Sequence, residues 1–190
     1  IAANNKNIPV VLDPVGAGAS QLRNETVKTL LEQVKFAVIR GNLSEVSFIA
    51  GLNVSTRGVD SAEQDSANDA VEGAKNVARK CGCVVAITGA VDVISDGERV
   101  AKISNGVAAM SKITGTGCML SGVIGAYAGA VEDKFCAVVQ AVASMGIAGE
   151  LSYEKYAQIG TGSLHIGIID ALSKIDDAVI EQRGKIDYEK

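Results

Sequence analysis

Residues 8–18 read Ile-Pro-Val-Val-Leu-Asp-Pro-Val-Gly-Ala-Gly, and this stretch sets the class of fold. Its first five residues form a continuous apolar run, which favours a strand covered on both faces, as in a parallel sheet. Ser20 then provides a suitable N-cap for a helix that extends to about Gln33. The chain is therefore predicted to start with a strand, a glycine-bearing loop and a helix.

The same order of strand and helix recurs along the chain. Two further apolar runs predict buried strands over residues 36–39 and 84–88. Between them we expect a short helix around Glu45, a polar surface connection over 54–68 and a helix over about 67–80. The pair Asp96-Gly97, flanked by residues 91–95 and 99–104, predicts a late antiparallel hairpin. Helices are predicted at about 117–130, 134–152 and 162–174, and the charged tail from Asp176 as a peripheral helix.

This alternation predicts a layered α/β/α fold with a mostly parallel central sheet and a late antiparallel hairpin. A single domain over residues 1–190 is the expectation at this length. In such sheets, ligands lie beyond the carboxyl ends of the strands. Asp13, Arg40 and Thr88 stand at or just after predicted strand ends, so we expect them on one rim with the turn at 114–118.

The composition excludes several classes of function. The chain has 190 residues and a net charge of −4, and no dense Lys/Arg stripe with interleaved aromatic residues is present. We therefore expect no nucleic-acid partner. The chain contains no run of about eighteen uncharged apolar residues, so no membrane span is predicted. A cytoplasmic location is expected. Neither a zinc site nor a disulfide framework is favoured by the spacing of the four cysteines and the single His165.

The segment Thr114-Gly115-Thr116-Gly117-Cys118 precedes an apolar helix and has two interpretations. Its glycines allow several backbone N–H groups to point at one phosphoryl group, and the helix N-terminus adds partial positive charge. The alternative is a tight packing turn. The spacing is not that of a Walker A loop, and Leu120 occupies the third glycine position of the dinucleotide-binding pattern.

Cys118 lies in the first turn of the predicted helix. The helix end favours a thiolate there, which can accept the proton of a substrate hydroxyl as that oxygen attacks the γ-phosphate. The alternative is a small residue that fits a crowded turn.

The remaining candidates also have two interpretations each. Asp13 either holds Mg²⁺ beside a triphosphate or forms a turn. Glu45 either joins the same metal site or caps a helix. Arg40 either clamps nucleotide phosphates or pairs with a carboxylate. Thr88 either offers its hydroxyl to a ligand or is an ordinary residue between strand and turn.

Four ordered motifs carry a resemblance to a known family: residues 13–18 (Asp-Pro-Val-Gly-Ala-Gly), 40–45 (Arg-Gly-Asn-Leu-Ser-Glu), 86–92 (Ala-Ile-Thr-Gly-Ala-Val-Asp) and 114–118. Asn105-Gly106 before Lys112, and residues 160–163, also fit. In their order and approximate spacing these motifs resemble the hydroxyethylthiazole kinase family of the ribokinase-like superfamily. The resemblance covers about residues 8–175.

The resemblance implies a kinase that uses ATP and Mg²⁺ to phosphorylate 4-methyl-5-(2-hydroxyethyl)thiazole in thiamine synthesis and salvage. It implies that Cys118 is the catalytic base, at a position where most ribokinase-like enzymes have Asp. Gly115 becomes the glycine that contacts substrate and phosphate. The family's members are typically homotrimers with active sites at subunit boundaries.

The resemblance also assigns roles to the residues on the rim. Arg40 and Thr88 become ATP-binding residues, whereas Asp13 and Glu45 organise magnesium and phosphate. Residues 114–117 become the phosphate cradle.

Two departures from the family pattern leave other functions open. Thr116 stands where the family commonly has Ala, which should leave the backbone cradle intact. The family's first third, with much of the thiazole pocket, is absent, and the chain starts without Met, so we expect it to continue a longer protein. The alternatives are a nucleotide-dependent dehydratase that repairs hydrated nicotinamide cofactors, and a non-catalytic fragment.

Overall fold

The computed structural model describes residues 1–51 and 63–189, with side chains from residue 68 onward in the second range. Seven α-helices and six strands lie within these residues. The helices are α1 (Gln21–Gln33), α2 (Leu43–Ala50), α3 (Glu63–Cys81), α4 (Thr116–Ala130), α5 (Lys134–Tyr156), α6 (Thr161–Leu172) and α7 (Asp177–Arg183). The strands are β1 (Val11–Leu12), β2 (Val38–Gly41), β3 (Val84–Ile87), β4 (Asp92–Ser95), β5 (Val100–Ile103) and β6 (Ile186–Glu189).

The strands form one sheet in the order β1-β2-β3-β4-β5-β6. β1, β2 and β3 are parallel, and the later pairings are antiparallel. Helices connect the parallel strands because a parallel pair needs a long crossover. Gly97 in the β4–β5 turn has a φ of +100°, which glycine adopts without the steric cost of a side chain. The predicted mixed α/β fold with a late hairpin is therefore confirmed.

Helices cover both faces of the sheet. Val38 and Ile39, neighbours on β2, are each 0% exposed and belong to different hydrophobic clusters. Successive side chains of a strand point to opposite faces, so Val38 packs with α4, α5 and α6, whereas Ile39 packs with α1, α2 and α3. This double coverage is the reason why the central strands are continuous apolar runs rather than alternating ones.

The boundaries of two predicted segments differ from the structure. The first strand was expected over residues 8–12, but only Val11 and Leu12 pair with β2. Pro9 has no N–H group to donate to a sheet. The predicted connection over 54–68 lies mostly outside the described residues, and α3 already begins within it at Glu63.

Helix α5 forms the centre of one layer. By length and hydropathy it could cross a membrane, but 78% of its most apolar stretch is buried inside the protein. It packs between α4 and α6 and also contacts the sheet. Gly167 of α6 permits the close approach, because a Cβ there would lie 2.3 Å from Ser152 Oγ of α5. We therefore describe α5 as a core helix.

The C-terminal segment corrects one prediction. The tail from Asp176 was expected to be a peripheral helix, yet it forms α7 and then β6, which pairs with β5. Asn105, at the end of β5, holds the returning chain: it donates to the Arg183 carbonyl (2.9 Å) and accepts from the Lys185 N–H (2.7 Å). A charged local sequence does not reveal such contacts across about eighty residues.

Glu150 of α5 strengthens the same junction. Its Oε1 accepts hydrogen bonds from the Gly106 N–H (2.9 Å), Lys185 Nζ (2.9 Å) and Asn105 Nδ2 (3.3 Å). Burial acts to raise the pKa of Glu150, but these donors outweigh it and hold the pKa below its ordinary value. We call this set, Glu150 with Asn105, Gly106 and Lys185, the Glu150 brace.

A Gly146→Ala substitution should destabilise the fold at this junction. A Cβ at Gly146 would lie 2.7 Å from the backbone carbon and oxygen of Asn105, so α5 and the segment that follows β5 would have to separate. We expect a loss of about 1–3 kcal/mol in the free energy of unfolding, measured by urea denaturation. Gly129→Ala in α4, where a Cβ meets nothing within 4 Å, should be neutral or stabilising by up to about 1 kcal/mol. Equal stability of both variants would contradict the close packing.

Candidate active site

The carboxyl ends of the three parallel strands bring three of the predicted residues into contact. Arg40 of β2 donates through Nη1 to Asp13 Oδ2 (3.2 Å) and through Nη2 to Thr88 Oγ1 (2.9 Å). Thr88 Oγ1 in turn donates to the Gly41 carbonyl (3.3 Å). The predicted grouping of these residues on one rim is therefore what the structure shows. Arg40 pairs with a carboxylate, as one of its two interpretations predicted. The other interpretation, that Arg40 binds nucleotide phosphates, stays a prediction.

The start of α4 lies directly against this pair of charges. A Cβ at Gly117 would be 2.8 Å from Arg40 Nη1 and 3.1 Å from Nη2. Only a residue without a side chain lets the backbone approach the guanidinium so closely. Ser121, one helical turn later, donates from Oγ to Asp13 Oδ2 (2.9 Å). The helix that follows the glycine turn thus contacts both members of the ion pair.

The turn itself has the geometry of an uncapped helix start. Gly115 is the N-cap residue of α4 with a φ of +96°, and no side chain caps it among the described residues. The Met119 N–H donates to the Gly115 carbonyl (2.8 Å), so the earlier N–H groups of α4 lack a partner within the helix. Thr116 Oγ1 lies 3.4 Å from the carbonyl oxygens of Met110 and Ile113. That contact ties the turn to the preceding segment, while Thr114 is exposed.

Cys118 is the third residue of α4 and is exposed. Its thiol therefore lies at the surface in the first turn of α4, rather than packed inside a crowded turn. Within the described part of the chain, the other cysteines lie elsewhere: Cys81 ends α3, Cys83 directly precedes β3, and Cys136 lies in the first turn of α5. The role of Cys118 as a base stays a prediction.

Glu45 has a bracing role that accounts for its position. Its Oε2 accepts the Asn42 N–H (2.9 Å), and Asn42 Oδ1 accepts the Glu45 N–H (2.9 Å), which forms a capping box at the start of α2. Its Oε1 accepts the Gly16 N–H (2.8 Å). Glu45 therefore fixes the loop after β1 to the loop after β2, and both oxygens already accept a backbone hydrogen bond.

A cavity of about 440 Å³ opens beside this network. It extends from Arg40 and Thr88, past the first turn of α4, to a wall made by residues 105–110 and α5. The Glu150 brace holds the first two residues of that wall. A volume of this order suits a small ligand or cofactor.

Asp92 is a residue of this cavity that the sequence reasoning did not single out. Its Oδ1 accepts the Gly89 N–H (2.9 Å). Burial raises the pKa of Asp92 to about 6, against the lowering effects of the Gly89 N–H and of the Arg40 charge. Asp92 closes the quoted motif at 86–92 and is the first residue of β4, so its place in that motif was the available signal.

Replacing Asp92 with Asn should stabilise the protein at neutral pH. The folded-state pKa of Asp92 is raised from 3.8 to about 6, so its contribution to stability is fully present below about pH 4 and is lost as the pH rises through 6. Asn has no charge to desolvate. The free energy of unfolding of Asp92→Asn should therefore exceed that of the wild type more at pH 7 than at pH 4, in parallel urea titrations. A difference that is the same at both pH values would contradict this account.

The acidic residues of the site suit a cation that is bound together with the nucleotide better than a metal ion held by protein ligands alone. Among the described residues, no group of three or more His, Cys, Asp or Glu side chains could hold a metal ion. Asp13 accepts both of its hydrogen bonds, from Arg40 and Ser121, on Oδ2. Mg²⁺ in phosphotransfer sites is usually held by one or two carboxylates together with substrate phosphates. Asp13 fits that donor set, and Glu45 fits it less directly.

Comparison with known proteins identifies relatives over nearly the whole chain. The model of the hydroxyethylthiazole kinase family matches residues 1–178. A hydroxyethylthiazole kinase of Ruminiclostridium cellulolyticum is 55% identical over 185 residues, which cover 97% of this chain and 68% of that relative. A hydroxyethylthiazole kinase of Clostridium beijerinckii is 54% identical over 187 residues, with the same shares covered.

Solved structures agree with these sequence relatives. The hydroxyethylthiazole kinase protein from Pyrococcus horikoshii superposes with a TM-score of 0.86 at 34% identity, covering 99% of this chain and 68% of its own. An ADP complex of Bacillus subtilis pyridoxal kinase superposes with a TM-score of 0.59 at 24% identity, covering 86% of this chain and 63% of its own, and shows the fold alone. The chain therefore belongs to the hydroxyethylthiazole kinase family.

Proposed function

We propose that this protein transfers the γ-phosphate of ATP to the hydroxyl of 4-methyl-5-(2-hydroxyethyl)thiazole, as a kinase of thiamine biosynthesis. The observation that carries the proposal is the contact between the ion pair on the strand ends and the start of α4. Arg40 lies against Gly117 there, and Ser121 of the same helix donates to Asp13, in a member of the hydroxyethylthiazole kinase family. This contact puts a cation, a carboxylate and free backbone N–H groups around one point, as phosphoryl transfer requires.

Each residue has a defined part in the proposed reaction. The hydroxyl oxygen of the substrate attacks the γ-phosphorus, and the bond from that phosphorus to the departing oxygen of ADP breaks. Cys118, as thiolate, takes the proton of the hydroxyl. The free N–H groups of residues 115–117 stabilise charge on the transferred group, with Gly115 next to the substrate. Arg40 and Thr88 bind the phosphates of ATP.

Asp13, with Glu45 behind it, is the candidate to hold Mg²⁺, which when bound would neutralise charge on the phosphates. Asp13 carries the direct role because Glu45 already accepts two backbone hydrogen bonds. The side chain of Asp13 is 18% exposed and pairs with Arg40, which lines the cavity.

We also infer the setting of the enzyme from the family. A homotrimer with sites at subunit boundaries, a cytoplasmic location and a single kinase domain over residues 1–190 suit a kinase of a small metabolite. The two hydrophobic clusters share one sheet, which supports the single domain. The chain spans 68% of the length of its first relatives.

The decisive experiment incubates the full-length protein with ATP, Mg²⁺ and the thiazole alcohol, and detects the phosphorylated alcohol by mass spectrometry. We expect stoichiometric release of ADP. Absence of turnover with this alcohol would overturn the proposal. Nucleotide-dependent dehydration of hydrated NADH without phosphorylation of any alcohol would instead identify the repair dehydratase.

A Gly117→Ala variant should lose nucleotide affinity without losing stability. The added Cβ would lie 2.8 Å from Arg40 Nη1 and displace the guanidinium, whereas Ala favours the helix by about 1 kcal/mol. We expect a KM for ATP raised about tenfold, equivalent to about 1.4 kcal/mol, and little change in the unfolding midpoint. Gly122→Ala, in the same helix with open space around its Cβ, should bind ATP normally. An unchanged KM in both variants would refute the contact with Arg40.

A further inference from the structure

Asp13 is held from two directions, and one of them was not visible in any sequence motif. Arg40 Nη1 and Ser121 Oγ both donate to Asp13 Oδ2, at 3.2 and 2.9 Å. Ser121 lies in α4, and its Oγ is also 3.2 Å from the carbonyl of Gly117, one turn earlier. A single hydroxyl therefore links the helix that starts at the glycine turn to the carboxylate at the end of β1, across 108 residues.

We propose that Ser121 is a positioning residue for the phosphoryl transfer, which keeps Asp13 in the orientation that receives the cation of the nucleotide. This inference rests on the proposed kinase function. With both donors on Oδ2, Asp13 Oδ1 has no hydrogen-bond partner among the described residues. Within the described part of the chain, the carboxylate thus has one oxygen that accepts two hydrogen bonds and one that accepts none.

The two donors are not equivalent once ATP is bound. The Arg40 guanidinium also holds Thr88 and lies against Gly117, and phosphate oxygens compete with Asp13 for its N–H groups. A hydrogen bond that weakens when the nucleotide arrives cannot by itself fix the carboxylate. Ser121 carries no charge and has no reason to move toward the phosphates. Ser121 therefore continues to hold Asp13 when the Arg40 guanidinium binds the phosphates of the nucleotide.

The stability of the helix argues for the same role. Serine is a poorer helix former than alanine, and its hydroxyl competes for the carbonyl one turn back. A serine kept only for the fold would be unfavourable at this half-buried position in α4. The hydrogen bond from the hydroxyl to Asp13 is an interaction that alanine cannot make.

The test compares Ser121→Ala with Ser121→Thr in the full-length protein. Mn²⁺, as a spectroscopic substitute for Mg²⁺, is titrated in the presence of a non-hydrolysable ATP analogue and followed by electron paramagnetic resonance. A hydrogen bond to a charged group is stronger than one between neutral groups, so its loss should affect both the carboxylate and, modestly, the fold. We expect about tenfold weaker Mn²⁺ binding in Ser121→Ala and substantial recovery in Ser121→Thr. The KM for the thiazole alcohol should stay near the wild-type value, and both variants should remain fully folded at the temperature of the titration.

The controls separate this inference from the proposed function. Ser173→Ala, which removes a hydroxyl that donates to the Asp170 carbonyl at the end of α6, should bind Mn²⁺ normally. Wild-type Mn²⁺ binding in Ser121→Ala, or no recovery in Ser121→Thr, would overturn the role of Ser121. If the wild type fails to phosphorylate the alcohol while Ser121→Ala still weakens Mn²⁺ binding, the proposed substrate is wrong and the positioning of Asp13 stands.

Discussion

A Cys118→Ala variant is expected to phosphorylate the thiazole alcohol about 100- to 10,000-fold more slowly than the wild type. Alanine cannot accept the proton of the hydroxyl, whereas Arg40 and the N–H groups at the start of α4 remain in place. The KM for ATP should therefore change little. Because the thiol is exposed, its removal takes away little packing, and the free energy of unfolding should stay within about 0.5 kcal/mol. Steady-state kinetics and urea denaturation measure the two effects.

Two further cysteine variants make this test specific. Cys118→Ser keeps the shape of the side chain but replaces the thiolate with a much weaker base, so its kcat should also be low. Cys136→Ala alters a cysteine in the first turn of another helix, where the thiol donates to Asp133 Oδ2 (3.4 Å). That variant should keep full activity. Full activity in Cys118→Ala would exclude the thiol as base, and an unfolded Cys118→Ala protein would indicate a packing role.

An Arg40→Ala variant should lose both stability and nucleotide affinity. It leaves Asp13 without its cation and Thr88 without its donor, in an ion pair whose side chains are only 14% and 18% exposed. Removal of one partner of a fully buried pair costs about 3–5 kcal/mol. We expect a loss of about 3 kcal/mol, at the low end of this range. The reason is that Arg40 Nε is buried without a hydrogen-bond partner among the described residues, so the wild-type guanidinium is itself incompletely hydrogen-bonded. The KM for ATP should rise at least about tenfold, or 1.4 kcal/mol.

The matched controls use a lysine at the same position and an arginine at the surface. Arg40→Lys keeps the charge but cannot reach both Asp13 and Thr88, because an ammonium lacks the planar fork, so an intermediate loss is expected. Arg99→Ala breaks two surface ion pairs, with Asp133 and with Asp96, in which the Arg99 side chain is 49% exposed, and should cost about 1–2 kcal/mol in total at about 1 kcal/mol or less for each pair, with normal kinetics. If Arg40→Ala is no less stable than Arg99→Ala, the energetic importance of the network is wrong.

Much of the fold could be predicted because its signals are local. The covered strands are apolar runs of four or five residues, and Ser20 does cap α1, accepting the Arg23 N–H (3.4 Å). The Asp96-Gly97 turn similarly fixes its own hairpin. Once these elements are placed in a parallel sheet, the meeting of Asp13, Arg40 and Thr88 follows from the rule that the strands end at one edge.

The parts that could not be predicted depend on contacts between distant segments. Ser121 is one small residue in an apolar helix, and its partner precedes it by 108 positions. Strand β6 is composed of polar residues with one half-buried Ile186, so it has no apolar run. Glu45 is a third case. The same residue caps α2 and is a candidate for the metal site, and the sequence pattern at 40–45 cannot distinguish these two roles.

The Glu150 brace joins residues that lie far apart in the sequence. Completion of the cavity wall therefore depends on the order in which the ribosome synthesises the chain. Lys185 follows Asn105 by 80 positions, which at 5–20 residues per second corresponds to roughly 4–16 s of synthesis. Until Lys185 is synthesised, the wall formed by residues 105–106 lacks its contacts with Lys185 and with β6, although Arg40 and α4 both precede Lys185 in the chain. Completion of the cavity wall is therefore coupled to the docking of β6.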